Sequence, residues 1–413
     1  MMSGTISTII ESGAIRDIVG GFLERCAIPY PMIPYDLDFF RLSCEEASRR
    51  GYPLEGKNSL KPFIPGGVAI ATTAYAHVKD LPTRIVICLF TACAIYADDM
   101  FHNNAAIVDE FNERFIQNKT QADVILEAFA ELIREMAVHF KRVVANIIVT
   151  STLNGVTALL LEYETQGMKL SPAAHNYATF SRCMSGASEA YGLFAFPAQL
   201  PAAGYIQALP DLVIYINNVN DLLSFYKEEL DGETVNRISL LAACHQISKI
   251  EALGRLADEA VEAHQRILRI LSSDAEARTA YLMFCQGFVG FHTSFKRYKL
   301  DELELQPSEL PASSGVSVLM APAPPLAPLT SASEGVSSSK GNPNGLGQSG
   351  PLASKGVADV RADQQSPNRG EDAHKYTSYF LSFPLNALRV SAIVVITYVV
   401  IARYSTLEYP FPL

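Results

Sequence analysis

Residues 217–230 read Asn217-Asn218-Val219-Asn220-Asp221-Leu222-Leu223-Ser224-Phe225-Tyr226-Lys227-Glu228-Glu229-Leu230. The run before them, Leu212-Val213-Ile214-Tyr215-Ile216, is apolar without alternation. Together the two runs predict one helix that is apolar on nearly every side and therefore buried. On it Asn220, Ser224 and Glu228 stand four apart, so each side chain drifts about 40° and climbs about 6 Å from the last. They share one face. A solvated helix face can carry the same spacing, but burial changes its meaning, because buried polar groups require partners. An amide, a hydroxyl and a carboxylate are hard oxygen donors, the set that suits Mg2+ with a phosphate-bearing substrate completing its shell. Lys227 flanks that face with the positive charge a diphosphate requires.

The string from Asn220 to Glu228 resembles the second metal motif of class I terpene cyclases, and its wording is similar to that of the fungal trichodiene synthase family. Three further stretches follow the family's order. The apolar run from Thr83 to Ala97, read as a buried helix, ends in Asp98-Asp99-Met100-Phe101-His102. Paired carboxylates at a helix C-terminus oppose the helix dipole, so a metal, an arginine or solvent must compensate them. The family's first metal motif is an aspartate pair followed by a third acid, and here the third position is His102. The resemblance makes Asp98 a metal ligand and Asp99 a salt-bridge partner behind it, and leaves His102 dispensable.

In Tyr177 to Ala187 the only charge is Arg182. A buried guanidinium needs an anion, which a carboxylate or a diphosphate could supply. The family places a diphosphate-sensing arginine here, just before a helix break that frees backbone carbonyls toward a cation, and Ser185-Gly186-Ala187 fits that break. Arg297-Tyr298, by itself a helix terminus, is in the family a pair that closes onto the diphosphate.

The resemblance covers about residues 1–305 and implies an all-α class I terpene synthase bundle with a central apolar pocket. It implies Mg2+, as three ions that Mn2+ can replace, held by Asp98, Asn220, Ser224 and Glu228. Arg182, Lys227, Arg297 and Tyr298 would bind the diphosphate and act in its departure. Farnesyl diphosphate would be the substrate and a sesquiterpene, trichodiene or a relative, the product. Candidates for a cation-stabilising wall are Phe63, Tyr75, Phe90, Tyr96, Tyr191, Phe194 and Tyr215, though each taken singly reads as ordinary core. A chain-elongating prenyltransferase would carry two Asp-rich motifs. His102 and the unusual tail keep open a non-catalytic isoprenoid-binding or membrane-tethered scaffold of the same fold.

With 413 residues the chain can bury a large core, and its net charge of −10, without a basic stripe, argues against nucleic acid as a partner. Seven scattered cysteines and the absence of a basic-then-apolar leader predict reduced thiols and a cytosolic protein, with a homodimer possible. Pro65-Gly66-Gly67 reads as punctuation before a short buried helix, Val68 to His77. Residues 306–372, rich in Pro, Ser and Gly, predict a disordered linker. In the tail, 373–413, the thirteen apolar residues from Val390 to Ala402 are fewer than the roughly 20 of a spanning helix, which disfavours membrane contact.

Overall fold

The long apolar runs fold as helices, and several begin at a side-chain cap or a first-turn proline. The computed structural model describes residues 2–305 other than 31, 57, 104, 166, 172, 233–235 and 295, and side chains outside 2–11, 101–103 and 105. The predicted linker, 306–372, and tail, 373–413, lie outside the described residues. In chain order come α1 (Met2–Arg25), α2 (Leu37–Arg49), α3 (Ile64–Thr72), α4 (Leu81–Asn103), α5 (Ala105–Asp109), α6 (Phe111–Ile116) and α7 (Val124–His139). They continue with α8 (Arg142–Glu164), α9 (Tyr177–Ser185), α10 (Ser188–Phe194), α11 (Leu209–Leu230), α12 (Arg237–His245), α13 (Lys249–Ile270) and α14 (Ala275–Ser294). Short 3-10 turns follow α14 at Lys296–Tyr298 and Leu300–Leu303, and no strand occurs among the described residues. The all-α class expected from the sequence is the one observed.

The centre of the bundle is α11, which packs against α1, α9, α10, α12, α13 and α14. Its apolar residues Leu212, Tyr215, Val219, Leu222 and Leu223 are all fully buried. The broadest of these contacts is with α13. Ser248 starts α13 by accepting from the Glu251 amide at 3.1 Å. Such a cap is worth about 1 kcal/mol. Burying Leu253, Leu256, Val261 and Ile267 is worth roughly 1.5–3 kcal/mol each, so packing holds this helix and the cap only sets where it begins.

Two element boundaries differ from the sequence reading, for identifiable reasons. Pro65 occupies the first turn of α3, where its missing N–H costs nothing, and Gly66 and Gly67 lie inside the helix. Gly67 is required there because a Cβ would sit 2.1 Å from the Cys88 carbonyl oxygen of α4. The two glycines mark a close helix crossing, and α3 ends at Thr72, short of His77. The second difference is α4, which runs on to Asn103. The aspartate pair therefore lies more than a turn inside the helix and is not its exit.

Candidate active site

The oxygen face of α11 is buried as a unit: Asn220 is 5% exposed, Ser224 4% and Glu228 7%. Asn220 Oδ1 accepts from Arg182 Nη2 at 3.2 Å, and its Nδ2 meets His292 Nε2 at 3.2 Å. The Ser224 Oγ has no hydrogen-bond partner among the described residues. A buried hydroxyl left bare costs about 1–3 kcal/mol, and a cation taking its lone pair removes that cost. Three oxygen donors on one face, one of them unsatisfied, fit Mg2+ by donor chemistry.

Arg182, on α9, is 5% exposed and donates from Nε to Asp221 Oδ1 at 2.8 Å. The other Asp221 oxygen accepts from Arg237 Nη1 at 3.0 Å, and the same Nη1 donates to Asn218 Oδ1 at 2.7 Å. The anion that the sequence required for Arg182 is thus a carboxylate one residue beyond Asn220. Arg182 Nη1 is buried without a partner, so this guanidinium keeps donor capacity for a second anion. Neither Asp221 nor Arg237 stands out in the sequence as a site residue. The available signal was a charged residue on a helix otherwise read as buried.

The break between α9 and α10 is where the sequence placed it. Ala187 adopts a left-handed backbone, φ 42°, between Ser185 and Ser188. A Cβ on Gly186 would lie 2.4 Å from Asn217 Oδ1, 2.4 Å from Ser188 Oγ and 2.8 Å from Arg182 Nη1. Gly186 itself has φ −72°, a helical value in which alanine is favoured by up to ~1 kcal/mol, so sterics alone set the sign. The Ser188 hydroxyl already donates to Asn217 Oδ1 at 2.6 Å and has little room to yield. Gly186→Ala is expected to destabilise the fold by about 1–3 kcal/mol in urea unfolding and to displace Arg182. An alanine variant as stable as the parent would refute the cradle.

Asp98 is buried, and its carboxyl is pushed well above the ordinary carboxylate range by that burial first and by Asp99 beside it, while Arg297 pulls it back. Asp99 is half-buried next to it. His102 lies in α4 with its side chain outside the described residues. The Tyr298 phenol is pushed up to about 12 by burial, with the Glu228 carboxylate adding to the rise and Arg297 opposing it. These shared fields join the first motif to the Arg297-Tyr298 turn and that turn to the end of the second motif. Lys227, 6% exposed, pairs with Asp231 at 3.4 Å, and Asp231 also pairs with Lys299 at 3.3 Å. Arg182 thus bonds to the oxygen face itself, Lys227 pairs with Asp231 at the end of the same helix, and the turn that carries Arg297 and Tyr298 packs against α11.

A small pocket, partly open to solvent, has Thr91, Arg182 and Asn220 as its polar lining. Its apolar walls are Ile70 of α3, Tyr191 of α10, Ile216 of α11, and Phe288 and Phe291 of α14. Of the seven aromatic candidates only Tyr191 is among them. Tyr75 instead packs on Phe194 and Phe284, Phe90 on Phe129 and Phe194, and Tyr215 on Phe22 and Tyr281. Phe63 meets Tyr96 edge-on, and the Tyr96 hydroxyl donates to Asp123 at 2.9 Å. These six build core, and Phe288 and Phe291 replace them as wall. Their spacing of three on α14 was the sequence signal for a shared face.

The trichodiene synthase family model matches residues 68–312. Over 291 residues the chain is 41% identical to the alpha-cuprenene synthase COP6 of Coprinopsis cinerea, covering 70% of this chain and 90% of that one. It is 31% identical over 309 residues to monoterpene synthase 25 of Postia placenta, covering 73% and 92%. It is 36% identical over 262 residues to the terpene synthase BipA of Cochliobolus sativus, covering 62% and 80%. The chain belongs to the trichodiene synthase family of terpene synthases. Membership implies lyase activity.

Proposed function

We propose that this chain is a sesquiterpene synthase that ionises farnesyl diphosphate and cyclises the carbocation that remains. The observation that carries this reading is the bare, buried Ser224 hydroxyl, one turn along α11 from Asn220, and the bare Arg182 Nη1, with Arg182 and Asn220 both lining a largely apolar pocket. Asn220, Ser224 and Glu228 on one side and Asp98 on the other are the residues to hold Mg2+. When bound, the ion supplies electrostatic stabilisation of the charge that gathers on the leaving diphosphate. Arg182, Lys227, Arg297 and Tyr298 donate hydrogen bonds to the same oxygens. Heterolysis of the allylic carbon–oxygen bond leaves both electrons on the diphosphate and a cation in the pocket. Tyr191, Phe288 and Phe291 present ring faces to that cation, and Ile70 and Ile216 help exclude the water that would quench it. On this reading the enzyme works in the cytosol, Mn2+ replaces Mg2+, and the segment after residue 305 is dispensable for the chemistry.

Incubation with farnesyl diphosphate and Mg2+, with the products read by gas chromatography with mass detection, tests the proposal. The expected outcome is a cyclic fifteen-carbon hydrocarbon that disappears when the metal is chelated. Geranyl diphosphate run in parallel is expected to turn over more slowly. No hydrocarbon from farnesyl diphosphate would refute the reading, and efficient turnover of geranyl diphosphate alone would make the enzyme a monoterpene synthase.

A further inference from the structure

His292 lies in the last turn of α14 and is fully buried between the pocket wall and the Lys296–Tyr298 turn. Its role depends on Asn220 being a metal ligand, as the proposed function has it. The His292 Nδ1 is 2.8 Å from the Phe288 carbonyl oxygen, four residues back. A carbonyl only accepts, so Nδ1 carries the proton, and in the ring's neutral form Nε2 can only accept. The surroundings favour that form: Phe288, Phe291 and Tyr298 pack their rings against the imidazole at 4.9, 5.1 and 4.7 Å between centroids.

Nε2 faces the Asn220 amide at 3.2 Å. That amide has two orientations of nearly equal shape, and only one can meet both neighbours. With Nδ2 toward His292 it donates to a lone pair, and its oxygen accepts from Arg182 Nη2 at 3.2 Å. Turned over, oxygen would face the His292 lone pair and the NH2 group would face a guanidinium, so both contacts would be lost. The observed orientation leaves Oδ1 a second lone pair, and Asn220 lines the pocket. Arg182 helps to set it, but Arg182 also serves Asp221 and, in the proposed reaction, the diphosphate. His292 is not among the residues that line the pocket, so a substrate there does not compete for its hold on the amide.

We propose that His292 is a positioning residue for the metal site: anchored by the Phe288 carbonyl, it fixes the amide of Asn220 with the oxygen turned toward the bound cation. Partners that orient a metal ligand typically contribute about 10- to 100-fold to metal affinity. The test is a thermal-shift titration of the full chain with Mg2+ in the presence of inorganic diphosphate, which reads ligand binding without turnover. His292→Phe keeps the ring volume and removes the acceptor, and is expected to raise the Mg2+ concentration at half-shift about tenfold or more. His292→Gln puts an amide oxygen near the place of Nε2 and is expected to return it to within about threefold of wild type. If the phenylalanine variant does not fold, His292→Leu repeats the comparison. A Phe or Leu variant that titrates like wild type overturns the proposal. Phe and Gln variants weakened alike would reduce His292 to a packing residue and overturn it too. A wild-type protein with no shift at all would instead overturn the assignment of α11 as the metal site, and the role of His292 with it.

Discussion

Glu228→Gln is expected to lower turnover of farnesyl diphosphate at least ~100-fold, about 2.7 kcal/mol in the barrier, with the helical fold intact. Glutamine keeps the volume of the buried side chain and can still hydrogen-bond, so packing around α11 is not disturbed. What it removes is the one full negative charge among the three oxygens of that face, and with it the strongest donor to a cation. Asn220→Ala is expected to give a loss of the same order by a different route. It deletes the ligand oxygen and also deprives Arg182 Nη2 and His292 Nε2 of the partner they share. Product release measured by gas chromatography, with circular dichroism as the control for folding, checks both. Wild-type rates with unchanged dichroism in either variant would show that the oxygen face is not the metal site.

Asp221→Ala should strike stability. The carboxylate is 4% exposed and is shared by Arg182 and Arg237, which are nearly as buried. Removing it leaves two guanidinium charges facing one another in a medium that cannot screen them. Breaking a buried pair in this way costs about 3–5 kcal/mol, and here two pairs go at once. Against a typical total stability of about 5–15 kcal/mol, that loss is a large fraction. Asp221→Asn retains an acceptor oxygen and is expected to lose less. Urea unfolding of the two variants beside the parent gives the comparison, and an Asp221→Ala midpoint equal to wild type would mean that the arginines find other anions.

The oxygen face was legible in the sequence because two local patterns coincide on α11. Four-residue spacing aligned Asn220, Ser224 and Glu228, and an all-round apolar run implied burial. What could not be read is which distant groups meet them. Arg182 and Asp221 are separated by 39 positions, and Asn220 and His292 by 72, so these pairings are set by how helices cross. No period in the chain encodes a crossing. Pro65-Gly66-Gly67 misled for the same reason: glycine reads locally as a breaker, whereas Gly67 is needed for the approach of the Cys88 carbonyl. Most of the aromatic candidates pack as core, as each of them reads singly in the sequence, because hydrophobicity signals burial without saying which side of the helix meets the pocket. Tyr75 and Phe194 bury against one another, while Phe288 and Phe291 meet open space.

Apart from Ile216, the pocket walls come from α3, α4, α10 and α14, while the proposed metal ligands of the second motif all sit on α11. Because α11 packs on every side, almost any change along it disturbs either the core or the ionising end. Ile70, Tyr191, Phe288 and Phe291 line the pocket from helices that carry none of the second motif. On the proposed reading, the shape imposed on a reacting cation is set mainly by side chains outside the helix that carries the second motif. Substitutions in the wall would then alter which product forms, and substitutions along the oxygen face would alter whether any forms at all.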